Sequence, residues 1–208
     1  SHLFNNFRLY HRSAALETEA VLDYLFQHNN TPAFVGLKII QRLVTSNPSS
    51  RYLRVVADAF RTGTYPRSKM TFSGKRGDLA ATLAAVLLDR EARSTALAAD
   101  PSYGKMREPL LKLIHVMRSM EYEANVDTSE IVLADMQDLI GQGPFGAPTV
   151  FGFFDVGYSP KGKISKRKLV SPEGELGTGP YIINFFNGMA SLIDRGLTYC
   201  DYGFGDVQ

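Results

Sequence analysis

Residues 143–154 read GPFGAPTVFGFF, with four phenylalanines, two prolines, three glycines and no charge. Proline fixes φ and lacks a backbone donor, and glycine weakens regular elements, so this stretch forms neither an ordinary helix nor a central strand. So much bare aromatic surface is either buried or used to bind. The expected outcome is that Phe145, Phe151, Phe153 and Phe154 all drop into a helical core, with an exposed binding face as the alternative.

The chain around this segment is patterned for helix. Val21, Leu22, Leu25 and Phe26, opposite Glu17, Glu19 and Asp23, predict an amphipathic helix over 14–27. Thr31 as N-cap and Pro32 in the first turn open a central helix to about Thr45. Ser49 or Ser50 caps a third, running to about Arg61, with Leu53, Val56, Ala57 and Phe60 inward. After an exposed, basic, turn-rich loop over 62–77, Asp78 starts a helix whose buried stripe is Leu79, Leu83, Val86 and Leu87. A shorter helical piece over 91–99 follows.

Pro109 opens a helix to about Met120, with Leu110, Leu113, Ile114 and Met117 inward. Asp127 and Glu130 have capping-box spacing for a helix from Thr128 to Ile140 that ends at Gly141. The last helix begins at Pro180 and stops at Gly196, with Ile182, Ile183, Phe186, Met189, Ala190 and Ile193 as its apolar side. The expected fold is therefore all-α, a single compact domain over 1–208 of about seven to eight helices. An irregular segment over 141–179 precedes the last of them. Ser1 in place of an initiator methionine suggests a piece of a longer protein.

Composition removes several functional classes. A formal charge of +2 is too small for a nucleic-acid footprint, and no apolar run approaches the roughly 20 residues of a membrane span. The one cysteine, Cys200, allows no internal disulfide. His2, His11, His28 and His115 show no paired ligand spacing, so neither metal nor cofactor is expected. Glu121, Glu123, Asn125 and Asp127 alternate oxygen ligands but lack the glycine and closing glutamate of a calcium loop. Phosphate-binding glycine loops, serine nucleophile elbows and zinc-protease helices are missing from the sequence.

Several blocks, taken in order, carry a family resemblance. Leu25, Phe26, His28, Asn30, Thr31, Pro32 and Phe34 are followed by Gln41, Arg42, Leu43 and Val44. Gly77, Asp78 and Leu79 precede Leu87, Leu88, Asp89, Glu91, Ala92 and Arg93. Gly104, Lys105, Arg107, Glu108 and Pro109 form another block, and Pro144, Phe145, Ala147, Pro148, Val150, Phe151, Phe153 and Phe154 the next. Tyr158, Pro160, Gly162, Leu169, Val170, Pro172 and Glu173 complete the series. Together they resemble the domain of unknown function 1800 family, over nearly all of this chain but only about the C-terminal half of the family's pattern. Many members of that family are similar to exported proteins, which implies a secreted, periplasmic or extracellular location. The family carries no established activity or catalytic residue.

Candidate sites must then be weighed on their chemistry. Glu108 as a general acid or base, with His115 seven residues on and Arg107 or Arg118 holding an anion, is one arrangement. Its structural counterpart is Glu108 favouring a helix N-terminus, Arg107 in an ion pair and His115 in the core. His28, Asn29, Asn30, Thr31 and Pro32 read either as an anion site or as a capped helix start, with the capped start favoured. Arg76, Gly77 and Asp78 spell an adhesion tripeptide, but Asp78 stands where an N-cap is expected. Lys161, Lys163, Lys166, Arg167 and Lys168 would meet an acidic polysaccharide or an acidic neighbouring subunit, or form a solvated face. The leading expectation is a non-catalytic structural or interaction domain of an exported protein, a subunit of a larger assembly with a protein partner or further copies of itself. The alternative is an extracellular carbohydrate-active enzyme or carbohydrate-binding protein using Phe151, Phe153, Phe154 and Tyr158 with Glu108, Glu173 and Glu175. Whether the chain is an enzyme stays open at this point.

Overall fold

The computed structural model describes residues 14–123, 131–200 and 202–207. The chain divides into two compact units, Ser1–Val44 with Pro48–Thr95, and Thr45–Asn47 with Ala96–Gln208. The fold is all-α, as the apolar periodicity predicts, with one two-stranded ribbon among the described residues. His2 and His11 lie outside the described residues, as do Asn125, Asp127, Thr128 and Glu130.

The first unit holds α1 (Ala14–Gln27), α2 (Thr31–Leu43), α3 (Ser50–Thr62) and α4 (Leu79–Leu88). Ser49 caps α3 by accepting a hydrogen bond from the Tyr52 amide, and Asp78 caps α4 by accepting one from the Ala81 amide. Gly36 brings α2 close to α3, since a Cβ there would press on Val56. Ile40, Tyr52, Val56, Ala59, Ala85 and Val86 make the core, and the Tyr52 hydroxyl donates to the Val86 carbonyl oxygen. The 62–77 loop is not wholly exposed as expected. Tyr65 is buried, and the loop's ends are pinned by amides of Gly74 and Gly77 donating to the carbonyls of Gly63 and Phe60.

Further expectations about the helices need correction, the last of them on a stretch that runs on into the second unit. α1 buries none of its residues, so Val21, Leu22, Leu25 and Phe26 stay exposed. α2 is less central than its apolar circumference suggests, because Phe34 and Leu43 face water. In α4 the buried face is Ala81, Thr82, Ala84, Ala85 and Val86, while Leu79, Leu83 and Leu87 are exposed. Small side chains allow backbones to approach closely, and here that contact outweighs burial of the longer leucines. Residues 91–99 do not form a continuous helix, because Asp89 ends α4 in an extended conformation and its carboxylate accepts the Glu91 amide, turning the chain out. Only Leu97–Ala99 winds again, as one 3₁₀ turn.

The second unit contains α5 (Pro109–Ser119), β1 (Ile131–Leu133), α6 (Met136–Ile140), α7 (Lys163–Lys166), a 3₁₀ turn (Pro172–Leu176), α8 (Gly179–Arg195) and β2 (Gly205–Val207). Leu113 and Met117 of α5, Met136 and Ile140 of α6, Leu192 of α8, Leu197 and Phe204 form its core. The expected helix reaching Ile140 is shorter than its pattern. Ile131–Leu133 pairs antiparallel with Gly205–Val207, with Val132 opposite Asp206, so a partner distant in sequence takes this segment out of helix. Asp135, in the left-handed region at φ 54, marks the restart, and Gly141 at φ 74 closes α6 as expected.

α8 also turns a different face inward. Gly188, Ser191 and Leu192 are buried, whereas Ile182, Ile183, Phe186 and Ile193 are exposed. Gly188 is the reason, because its missing side chain leaves room for the Phe204 ring, and a Cβ there would overlap it. The phenylalanine segment departs from expectation in the same way. Of its four rings only Phe154 is buried. Phe153 is half-buried, and Phe151 and Phe145 are exposed, Phe145 completely. Thr149 and Gly152 close a tight bridge, and Phe145 sits at φ 56, so the segment folds back on itself instead of laying its rings on a helix.

Candidate functional site

Of the charged residues nominated from the sequence, Lys105, Arg107, Glu108 and Glu173 gather near the start of α5. Pro109 occupies the first turn of that helix, where its missing donor costs nothing. Gln142 lies buried beside it and serves both sides of the helix start. Its Oε1 accepts the Leu110 amide at 3.1 Å, and its Nε2 donates to Glu108 Oε2 at 2.8 Å. Glu108 is thus held by a buried amide at the N-terminal end of α5, where a carboxylate is also favoured by the helix dipole.

Lys105 and Glu173 are brought together from distant positions, with Lys105 Nζ 2.9 Å from Glu173 Oε1. The Glu173 side chain is nearly sealed from water, its other oxygen, Oε2, is buried with no hydrogen-bond partner, and Lys105 is also largely covered. Glu175 is directed elsewhere, its Oε2 accepting the Asp155 amide at 2.6 Å. Glu173 and Glu175 therefore hold different neighbours, a cation and a backbone amide. Glu108, Glu173 and Glu175 each have a distinct partner.

His115 and Arg118 are exposed on α5, so His115 is not a core histidine. The two candidate arginines belong to different hollows. Arg107 lines a cavity of about 260 Å³ with Glu173, Lys112, Tyr181, Ile182 and Phe185, while Arg118 lines a surface depression with Glu121 and Glu123. Arg107 has no ion pair among the described residues. The 105 segment is braced from behind by buried Thr45, whose hydroxyl donates to the Gly104 carbonyl at 3.0 Å and accepts the Gly104 amide at 3.1 Å. Asn47 makes a two-sided amide pair with the backbone of Val170, at 2.8 and 2.9 Å, which fixes the chain just beyond the basic run.

That run is exposed over all of residues 161–168, with Lys163–Lys166 wound into the single turn of α7. Tyr158 and Phe153 are half-buried, and Phe151 is exposed. His28 Nδ1 accepts the Asn30 amide at 3.2 Å, and the Thr31 hydroxyl donates to the Leu25 carbonyl. Thr31 is therefore inside α2 and not its N-cap, and this stretch is a helix-to-helix turn. Arg76 donates to the carbonyls of Phe26 and His28 and Asp78 caps α4, so both charged members of the apparent adhesion tripeptide are engaged within the fold.

Two features of this architecture escaped the sequence reading. Gln142 carried no signal beyond its place just after the glycine that ends α6. The second is a cluster in the first unit, where Asp89 is fully buried and Arg51 reaches both Asp89 and Glu91. The spacing of Asp89 and Glu91 after an apolar helix hints at a turn but not at its cationic partner. Burial alone would push the Asp89 carboxyl up, but hydrogen bonds from Arg51 and the Glu91 amide outweigh it and hold the group below the usual carboxylate range.

Among the described residues no three His, Cys, Asp or Glu side chains come together as a metal site, and no helix is long and apolar enough to cross a membrane. Fold and site define a predominantly helical protein whose candidate acids are engaged by Gln142, Lys105 and the Asp155 amide and whose exposed surface carries many large apolar side chains. The family model described as a protein of unknown function (DUF1800) matches residues 5–194, and the chain belongs to that family. No curated protein and no solved structure matches it.

Proposed function

We propose that this chain is a non-catalytic structural or interaction domain of an exported protein, working as a subunit of a larger assembly. The observation that carries the reading is the outer face of α8. Ile183, Phe186 and Ile193 are 60, 66 and 74% exposed, and with Ala190 they follow helical spacing along one side. A contiguous apolar stripe of this kind is characteristic of surfaces that meet another protein. Export rests on the family resemblance alone. Engagement of Glu108, Glu173 and Glu175 with Gln142, Lys105 and the Asp155 amide supports a bracing role for the acids over a catalytic one.

Sedimentation velocity across a concentration series tests the reading. The wild-type chain is expected to associate, and Ile183→Glu with Phe186→Glu to remain monomeric with unchanged circular dichroism. A chain that stays monomeric, takes up no partner and turns over a glycan or ester would overturn it.

A further inference from the structure

We propose that the cavity between the 106–109 segment, the Pro172–Leu176 turn and the first turns of α8 is a binding site for a small organic anion that also carries a hydroxyl group. Its volume of about 260 Å³ suits a single-ring molecule, a little below the usual range for larger ligands. Leu176, Ile182 and Phe185 supply apolar wall, and Tyr181 adds an aromatic face.

The polar groups specify the rest of the ligand. Glu173 lines the cavity and is 3% exposed, yet its Oε2 accepts no hydrogen bond while Oε1 is held by Lys105. A buried carboxylate oxygen without a donor is costly, and a ligand hydroxyl donating to it removes that cost. An ammonium group would meet Glu173 as well, but the lining already carries two cations, Arg107 and Lys112, and Lys105 neutralises Glu173. The balance of charge is positive, so the end of the ligand opposite its hydroxyl is anionic, with the exposed Arg107 guanidinium as its fork-shaped partner. Hydroxyl at the floor, ring between apolar walls and carboxylate at the mouth is the arrangement these residues accept. Phe186 borders both this cavity and the α8 stripe, but the polar contacts that define the site do not depend on the stripe acting as a protein contact.

Titration calorimetry of the intact chain with three probes decides the matter. 4-Hydroxyphenylacetate is expected to bind saturably with one-to-one stoichiometry. Phenylacetate, which lacks the hydroxyl, and tyramine, which replaces the carboxylate with an ammonium, are each expected to bind at least tenfold more weakly. Arg107→Ala, at an exposed position, should weaken 4-hydroxyphenylacetate at least tenfold without altering thermal stability. Glu173→Leu, which leaves no hydrogen-bonding group there, should bring the affinities for 4-hydroxyphenylacetate and phenylacetate together. If that variant fails to fold, Ile182→Trp at the half-exposed rim should block binding by filling the cavity in a folded chain. No saturable heat with 4-hydroxyphenylacetate at millimolar concentration, or equal affinity for all three probes, overturns the proposal.

Discussion

Replacing Arg51 by alanine tests the electrostatic account of the first unit most directly. Asp89 has no exposed surface, and its two oxygens accept from Arg51 Nη1 at 3.0 Å and Nη2 at 2.5 Å, with the Glu91 amide on Oδ1 at 2.8 Å. Removing one partner of a fully buried pair costs about 3–5 kcal/mol because a charge is left uncompensated. Arg51 is one-third exposed and water reaches its position, so the expected loss is smaller, about 2–4 kcal/mol. For a unit of this size that lowers the melting midpoint by roughly 10–25 °C. Arg54→Ala, at an exposed position of the same helix, should change stability by less than about 0.5 kcal/mol.

The pH dependence gives the experiment its sign. In the wild type the folded-state pKa of Asp89 is lowered, so its contribution is present above the unfolded value of about 3.9 and is lost as pH falls through the folded value. In Arg51→Ala the guanidinium no longer opposes burial, and only the Glu91 amide and the Arg67 charge still do, so the folded pKa rises and the variant is penalised as pH rises through it. The stability gap between the two proteins is therefore widest near neutrality and narrows below about pH 4. Urea unfolding at pH 7 and again near pH 3.5 measures it. A variant within about 0.5 kcal/mol of wild type at pH 7, or a gap of the same size at both pH values, would refute the reasoning.

Two further substitutions probe other parts of the fold. Gly188→Ala should destabilise the second unit by about 1–3 kcal/mol, although alanine favours helix, because its methyl group overlaps the Phe204 ring; a stabilised variant in thermal melts would contradict this packing. Arg76→Ala removes the donors to the carbonyls of Phe26 and His28 and a cation stacked near the Phe26 and Phe60 rings. Faster amide hydrogen exchange in the last turn of α1, with α3 unchanged, is the expected result.

Element ends were far more legible than element faces. The bounds of α1, the caps Ser49 and Asp78, the Pro109 start and the Gly141 and Gly196 stops all follow from local chemistry that acts over a few residues. Which stripe of a helix is buried depends on what lies opposite it, and hydrophobicity alone points to the wrong side of α4 and α8. In α4 small residues make most of the packed face, while the apolar pattern assigns the leucines to the core. In α8 a glycine and a serine mark the packed face, because Phe204 supplies the bulk from outside the helix. β1 was equally hidden, since its partner strand follows only after α8. At the site, Lys105, Arg107, Glu108 and Glu173 were all named from the sequence, but the Lys105 to Glu173 pair and the buried Gln142 bracing Glu108 arise only from the fold.

The distribution of partners argues for a division of labour. Carboxylates that look catalytic in sequence have structural partners, with Glu108 on the Gln142 side chain and Glu175 on the Asp155 amide, and the buried Asp89 is held by Arg51 in the same way. Large apolar side chains that look like core, namely Phe145, Val150, Ile183, Phe186 and Ile193, lie at the surface. Water opposes that second arrangement unless another molecule covers it, since burying each such side chain is worth about 1.5–3 kcal/mol. Glu173 stands apart because only one of its oxygens is engaged, by Lys105, and the other faces no donor in a buried setting. On the proposed reading the engaged acids supply rigidity, the α8 stripe would supply area for a protein contact, and the cavity beside Glu173 is where specificity for a small molecule would reside.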